Sequence, residues 1–183
     1  MKQLLQVLVL SFVLLISTEL AATTKINVAD AAGTQFTLIK PVKRIVSLSP
    51  HITELLFETE AGHLIVGTVE YSNFPDAAKK IPHVGNYSRI DLERLVALKP
   101  DMIIAWQSGN PQSMVNKIAE LGFPIFYSEP RSIEQVLKEI KTFAQMAGMA
   151  EKTDKKIRVY QTKLESLKSN YQHLPRLSVF YQM

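Results

Sequence analysis

Three aromatic side chains, Tyr71, Tyr87 and Trp106, carry most of the chemistry that this chain offers. Trp106, the only tryptophan present, ends an apolar run, and Tyr71 and Tyr87 stand in the loop that follows Gly67. Flat rings of this kind hold a large amphipathic ligand through contact area, helped by a few polar groups. Ser49 and Pro50 stand where a strand-like run meets a helical pattern, so Ser49 reads as a cap and Pro50 as the first helical position. A helix N-terminus there would meet the polar rim of such a ligand. Each aromatic can equally be a packing residue, and for Phe74 and Phe126 packing is the expectation.

Catalysis finds little support. Ser108-Gly109 is not a nucleophile elbow, no glycine-rich phosphate loop occurs, and the four histidines show no ligand spacing. His51 and Glu54 would share a helical face, but a histidine beside a cap is more often a surface or cleft residue than a metal ligand. Glu93 alone reads as a solvated side chain. The expectation is a protein that recognises a ligand without transforming it, with no catalytic and no metal-ligating residues.

The elements that must position these residues follow from periodicity. Ile90, Leu92, Leu95, Val96 and Leu98 have helical spacing, Pro100 stops the helix, and an apolar strand follows from Met102 to Trp106. Runs near 26–28 and 35–38 flank a Gly33 turn as a hairpin, 44–48 and 64–67 read as buried strands, and 124–127 as another. Helices are expected from Pro50 through Phe57, from 110 to 121, and from a capping box at Ser132 and Gln135 to Gly148. Strand and helix alternate, which predicts an α/β fold with a parallel, Rossmann-like sheet covered on both faces. Ligands of such sheets sit beyond the carboxyl ends of the strands, where Trp106 stands.

Composition sets the limits. The 183 residues are 46% hydrophobic and 21% charged, enough for one ordinary globular domain, or for one lobe and part of another. The net charge of +4 is scattered; the basic stretch 152–158 sits beside Glu151 and Asp154 and reads as a solvated helix face, with no nucleic-acid partner expected. Residues 1–22, with Lys2, an apolar run from Leu4 to Ile16 and small residues near Ala22, read as a secretory signal, short for a membrane span. No cysteine occurs, so no disulfide or lipid attachment is available. Residues 151–174 predict one long polar helix with Ile157, Tyr160, Leu164, Leu167 and Tyr171 along a stripe. From Leu177 to Tyr181 an apolar strand is expected, either an edge strand or, preferably, the first strand of a further domain.

Together, RIVSLSP at 44–50, TELL at 53–56, Val66-Gly67, Tyr71 with Phe74-Pro75, Val84-Gly85 and LERLVALKPD at 92–101 resemble the periplasmic solute-binding proteins of the cobalamin and iron-siderophore class. The resemblance runs from Ile26 to the end. It implies residues 23–150 as the N-terminal lobe, 151–174 as the rigid helix between two lobes, and 175–183 as the start of a C-terminal lobe that is largely missing. It implies cobalamin or a related metal chelate as cargo rather than cofactor, held by Ser49, Pro50, Tyr71, Tyr87 and Trp106. Glu93 would meet the inner-membrane ABC permease, and the protein would be a periplasmic monomer with no membrane insertion after signal cleavage. A ferric siderophore or haem as cargo, or a remnant limited to protein contacts, are the alternatives. The chain departs from the class at 59–62, where TEAG stands for the usual LGAG and Glu60 would occupy a left-handed turn.

Overall fold

A computed structural model describes residues 25–182. Strands β1 (Ile26–Ala29) and β2 (Gln35–Leu38) form the antiparallel hairpin, turned at Gly33. Strands β3 (Ile45–Ser47), β4 (Ile65–Gly67), β5 (Met102–Trp106) and β6 (Ile125–Ser128) form a parallel sheet in the order β4-β3-β5-β6. The helices are α1 (Pro50–Glu58), α2 (Leu92–Ala97), α3 (Gln112–Glu120), α4 (Ile133–Ala147) and α5 (Ala150–Tyr171).

Both faces of the sheet are buried, which explains why β5 is apolar without alternation. Met102 and Ile104 pack on one face with Ile52 and Leu56 of α1 and Phe143 and Met146 of α4. Ile103 and Ala105 pack on the other with Leu95 of α2 and Val115 and Ile118 of α3. Between the faces, Thr53 Oγ1 of α1 donates to Ser47 Oγ at 2.9 Å and lies 2.8 Å from Thr68 Oγ1, so the polar groups at the top of β3 and β4 are paired within the core.

The Lys-Pro-Asp stop has a local cause. Lys99 takes a left-handed conformation (φ 46°) after α2, and Asp101 then accepts from the N–H groups of Lys43 at 2.7 Å and Arg44 at 3.0 Å. In return Arg44 Nε donates to the Leu98 carbonyl at 3.0 Å, satisfying the end of α2. The helix is shorter than its apolar spacing predicts. Asp91 caps it by accepting from Arg94 N at 3.0 Å, Ile90 bridges Gly85 instead, and Val96 is left exposed.

Three further expectations need correction. Residues 177–181 form no strand: no chain segment among the described residues offers them a ladder, and Leu177, Val179, Phe180 and Tyr181 are all exposed. The basic face of α5 is not simply solvated, since Lys156 Nζ donates to the Glu58 carbonyl at 3.1 Å and lies 3.4 Å from Glu58 Oε1. The stripe on α5 is buried only at its start. Ile157 is in the core, Tyr160 and Leu164 are half-buried, and Leu167 and Tyr171 are exposed, so the helix runs off the lobe. Residues 1–22 lie outside the described residues, and no described helix is long and apolar enough to cross a membrane.

Candidate functional site

The carboxyl ends of β3, β4 and β5 carry the expected site residues on neighbouring turns. Trp106 is the last residue of β5, and its ring meets that of His51 in a T-shaped pair at a centroid distance of 5.4 Å and an interplanar angle of 83°. Gly109 lies against the same ring, so closely that a Cβ there would overlap Cε3 and Cδ2. Only glycine leaves the ring where it is.

Tyr87 and Tyr71 are placed by backbone rather than by their own side chains. The segment after β4 pairs with the loop 82–85: Thr68 N donates to the Pro82 carbonyl at 3.0 Å, Val84 N to Thr68 at 2.8 Å and Glu70 N to Gly85 at 2.9 Å. Tyr71 follows with φ 68°, a left-handed conformation that costs a bulky residue and marks a constrained turn. Asn86 Oδ1 accepts from Ser88 N at 3.1 Å and Arg89 N at 2.9 Å, which closes the turn that presents Tyr87. The result is 76% exposure for Tyr71, 56% for Tyr87 and 37% for Trp106, high for aromatic side chains. Phe74, expected to pack, is exposed, while Phe126 is in the core as expected.

Sequence reasoning did not find the residue that joins these turns. Asn110 is buried; its Nδ2 donates to the Leu48 carbonyl at 3.1 Å and the Tyr87 carbonyl at 2.9 Å, and its Oδ1 accepts from Trp106 N at 2.7 Å. Its partners are far apart in sequence, so no local pattern could announce it.

Ser49 and Pro50 begin α1 beneath this surface. Ser49 does not cap: its Oγ lies 2.7 Å from His51 Nδ1, and it is fully buried, so it is not open to a ligand in this arrangement. Pro50 is half-buried at the first helical position. From His51 Nε2 the chain of polar groups continues to Ser128 Oγ at 3.3 Å, and Ser128 Oγ donates to Glu139 Oε2 at 2.8 Å. Burial pushes the His51 imidazole below its ordinary 6.5, with Glu129 pulling it upward less strongly. Burial pushes the Glu139 carboxyl above its ordinary 4.5, against the bonds from Ser128 Oγ and Glu129 N. For Glu129 burial acts upward, but the bonds from Ser108 and Arg131 outweigh it and hold this carboxyl low. His51 is thus a neutral neighbour of Trp106. It is not half of a metal pair, because Glu54 is exposed and neither His51 nitrogen is free.

Glu93 projects from the first turn of α2 and is exposed. That helix is tied to the same loops, since Asp91 N donates to the Val84 carbonyl at 2.8 Å. A separate recess of about 400 Å³, which includes Gln107, Glu129, Arg131 and Glu139, lies along β6 and α4.

An aromatic surface is exposed over the carboxyl ends of a parallel sheet, the place where sheets of this kind bind their ligands, and no group of metal-ligating side chains occurs among the described residues. The chain is 38% identical over 143 residues to the vitamin B12-binding protein of Vibrio vulnificus strain CMCP6, covering 78% of this chain and 52% of that one. The vitamin B12-binding protein of Yersinia pestis strain Pestoides F is 38% identical over 129 residues, 70% of this chain and 46% of its own. The crystal structure of the periplasmic vitamin B12 binding protein of Vibrio cholerae superposes with a TM-score of 0.68 at 32% identity, covering 73% of this chain and 52% of that one. A periplasmic heme-binding protein of Roseiflexus, at 23% identity and TM-score 0.62 over 73% and 52%, shares the fold. The chain spans about half the length of these relatives. With residues 45–183 matching its pattern, the chain belongs to the periplasmic binding protein family.

Proposed function

We propose that this chain is the N-terminal lobe of the substrate-binding component of an ABC importer, exported to the periplasm, with cobalamin or a related metal chelate as its cargo. The observation that carries this reading is the exposure of Tyr71, Tyr87 and Trp106 on adjoining turns at the carboxyl ends of the sheet. Flat rings of that kind match the face of a macrocycle, and nothing about them suits a small polar substrate. The relatives of known name supply the choice of cobalamin. In this reading α5 is the helix between two lobes, Pro50 lies at the ligand's polar rim, and Ser49 acts through His51 rather than by direct contact. Glu93, exposed and in no ion pair among the described residues, meets the membrane permease.

The test is titration of the chain and of Trp106→Ala with cyanocobalamin, haemin and a ferric siderophore by calorimetry. Saturable cyanocobalamin binding that weakens by about tenfold or more in Trp106→Ala supports the reading, since one aromatic face contributes up to about 1.5 kcal/mol beyond its buried area. Equal cyanocobalamin affinity in the variant, with its circular dichroism unchanged, rejects the site. Saturation by haemin alone keeps the surface and replaces the cargo.

A further inference from the structure

We propose that Asn110 is the positioning residue of the aromatic surface, its single carboxamide setting Trp106 and the Tyr87 turn relative to each other. The proposal rests on the reading above only in taking that surface as the one that meets cargo. A carboxamide offers two N–H donors and one carbonyl acceptor, and Asn110 uses all three, toward Leu48, Tyr87 and Trp106. Those partners belong to three segments: the turn after β3, the loop before α2, and the end of β5. Its own backbone N–H adds a fourth tie, to the Trp106 carbonyl at 3.0 Å.

The geometry leaves few substitutes. An aspartate in its place would keep the acceptor for Trp106 N but set a carboxylate against two carbonyl oxygens. A glutamine carries an extra methylene into a site with only 5% exposure. Tyr87 has no side-chain hydrogen bond among the described residues, so its place follows from its backbone, and the Asn110 bond to the Tyr87 carbonyl is the tie that links that backbone to Trp106. Gly109, Asn110 and Pro111 therefore act in sequence. The first makes room for the ring, the second fixes it against the Tyr87 turn, and the third starts α3.

The test uses the whole chain, in which Trp106 is the only tryptophan, so indole fluorescence reports one residue. Asn110→Asp is compared with wild type and with Ile118→Val, a core change away from the site, at matched loss of melting temperature. At pH 7 Asn110→Asp is expected to shift Trp106 emission, to raise its quenching by acrylamide, and to weaken cyanocobalamin binding by about tenfold. Lowering the pH toward about 4 protonates the new carboxyl, returns one O–H donor, and should move the emission back toward that of wild type at the same pH. Where Asn110→Asp does not fold, Asn110→Ser, smaller and with one donor, is read in its place. Unchanged Trp106 emission and quenching in the folded variant overturn the proposal. So does an equal change in Ile118→Val. A Trp106 response to Asn110→Asp in a chain that binds no cyanocobalamin supports the positioning role and removes the cargo reading instead.

Discussion

Tyr160 of α5 donates its hydroxyl to Glu58 Oε1 at the end of α1 at 2.6 Å. With Lys156 on the Glu58 carbonyl, and Thr153 buried against the same turn, this contact fixes where the long helix leaves the lobe. The bond to the Glu58 carboxylate, then burial, raises the Tyr160 hydroxyl above its ordinary 10.0. A raised value means that the contribution is present below that pH and lost as the hydroxyl ionises above it.

Tyr160→Phe should therefore cost about 1 kcal/mol in urea unfolding at pH 7. The difference from wild type should shrink above about pH 10. A cycle with Glu58→Gln should give a coupling of about 0.5 kcal/mol or more. Additive single effects would show that the two side chains do not act on each other.

Glu60 holds a left-handed conformation, φ 62°, in the turn after α1. A non-glycine residue pays roughly 1 kcal/mol there. Its ion pairs with Lys152 and Lys156, both at 3.8 Å and exposed, return little of that. Glu60→Gly should raise stability by a few tenths to about 1 kcal/mol, the greater freedom of glycine in the unfolded chain setting the upper limit. A lower melting temperature would show that the ion pairs outweigh the strain.

Much of the lobe was legible in the sequence because its signals are local. The apolar run at β5, the Pro50 start of α1, and Ser132, whose hydroxyl accepts from Gln135 N at 3.2 Å, each depend on neighbours a few residues away. Even there the box is shifted, since Gln135 Oε1 accepts from Arg131 N and not from the cap residue. The strained turn at Glu60 was visible as a missing glycine. Asn110 was not visible, because an asparagine before a proline reads as a helix start and its partners at Leu48 and Tyr87 are brought to it only by the sheet. Ser49 was misread for a local reason, a competing partner two residues on. A cap needs the hydroxyl free for the helix, and His51 takes it. Residues 177–181 have the composition of a strand, but composition supplies no partner.

The buried chain from His51 through Ser128 to Glu139 makes a pH prediction with two opposed parts. His51 is held below its ordinary 6.5, so the folded state takes up its proton less readily than the unfolded one, and stability falls as pH drops below that value. Glu139 is held above its ordinary 4.5, so the folded state keeps its proton longer, and stability falls as pH rises through that window. Glu139→Gln keeps an acceptor for Glu129 N and a donor toward Ser128. It should be as stable as wild type or more so at pH 7, with the advantage gone by pH 4. His51→Gln should lose less stability than wild type between pH 6.5 and 5. Parallel stability profiles for wild type and both variants would mean that neither group changes its proton affinity on folding.

The last prediction concerns Gly109, because it separates the ring from the pocket around it. A methyl group at 109 cannot coexist with the present Trp106 ring, and the alternatives are movement of the ring or of the turn. The ring is partly exposed and touched by His51 in a T-shaped pair, while the turn is held by Asn110 at both its backbone and its side chain. The ring should move. Gly109→Ala is thus expected to fold with a melting temperature close to wild type, to break the Trp106 contact with His51, and to remove any dependence of Trp106 fluorescence on His51 protonation. Cyanocobalamin affinity should fall by about tenfold, as for loss of one aromatic face. A crystal structure of Gly109→Ala with Trp106 in its present place and the turn displaced would show that the Asn110 ties are weaker than the packing of the ring.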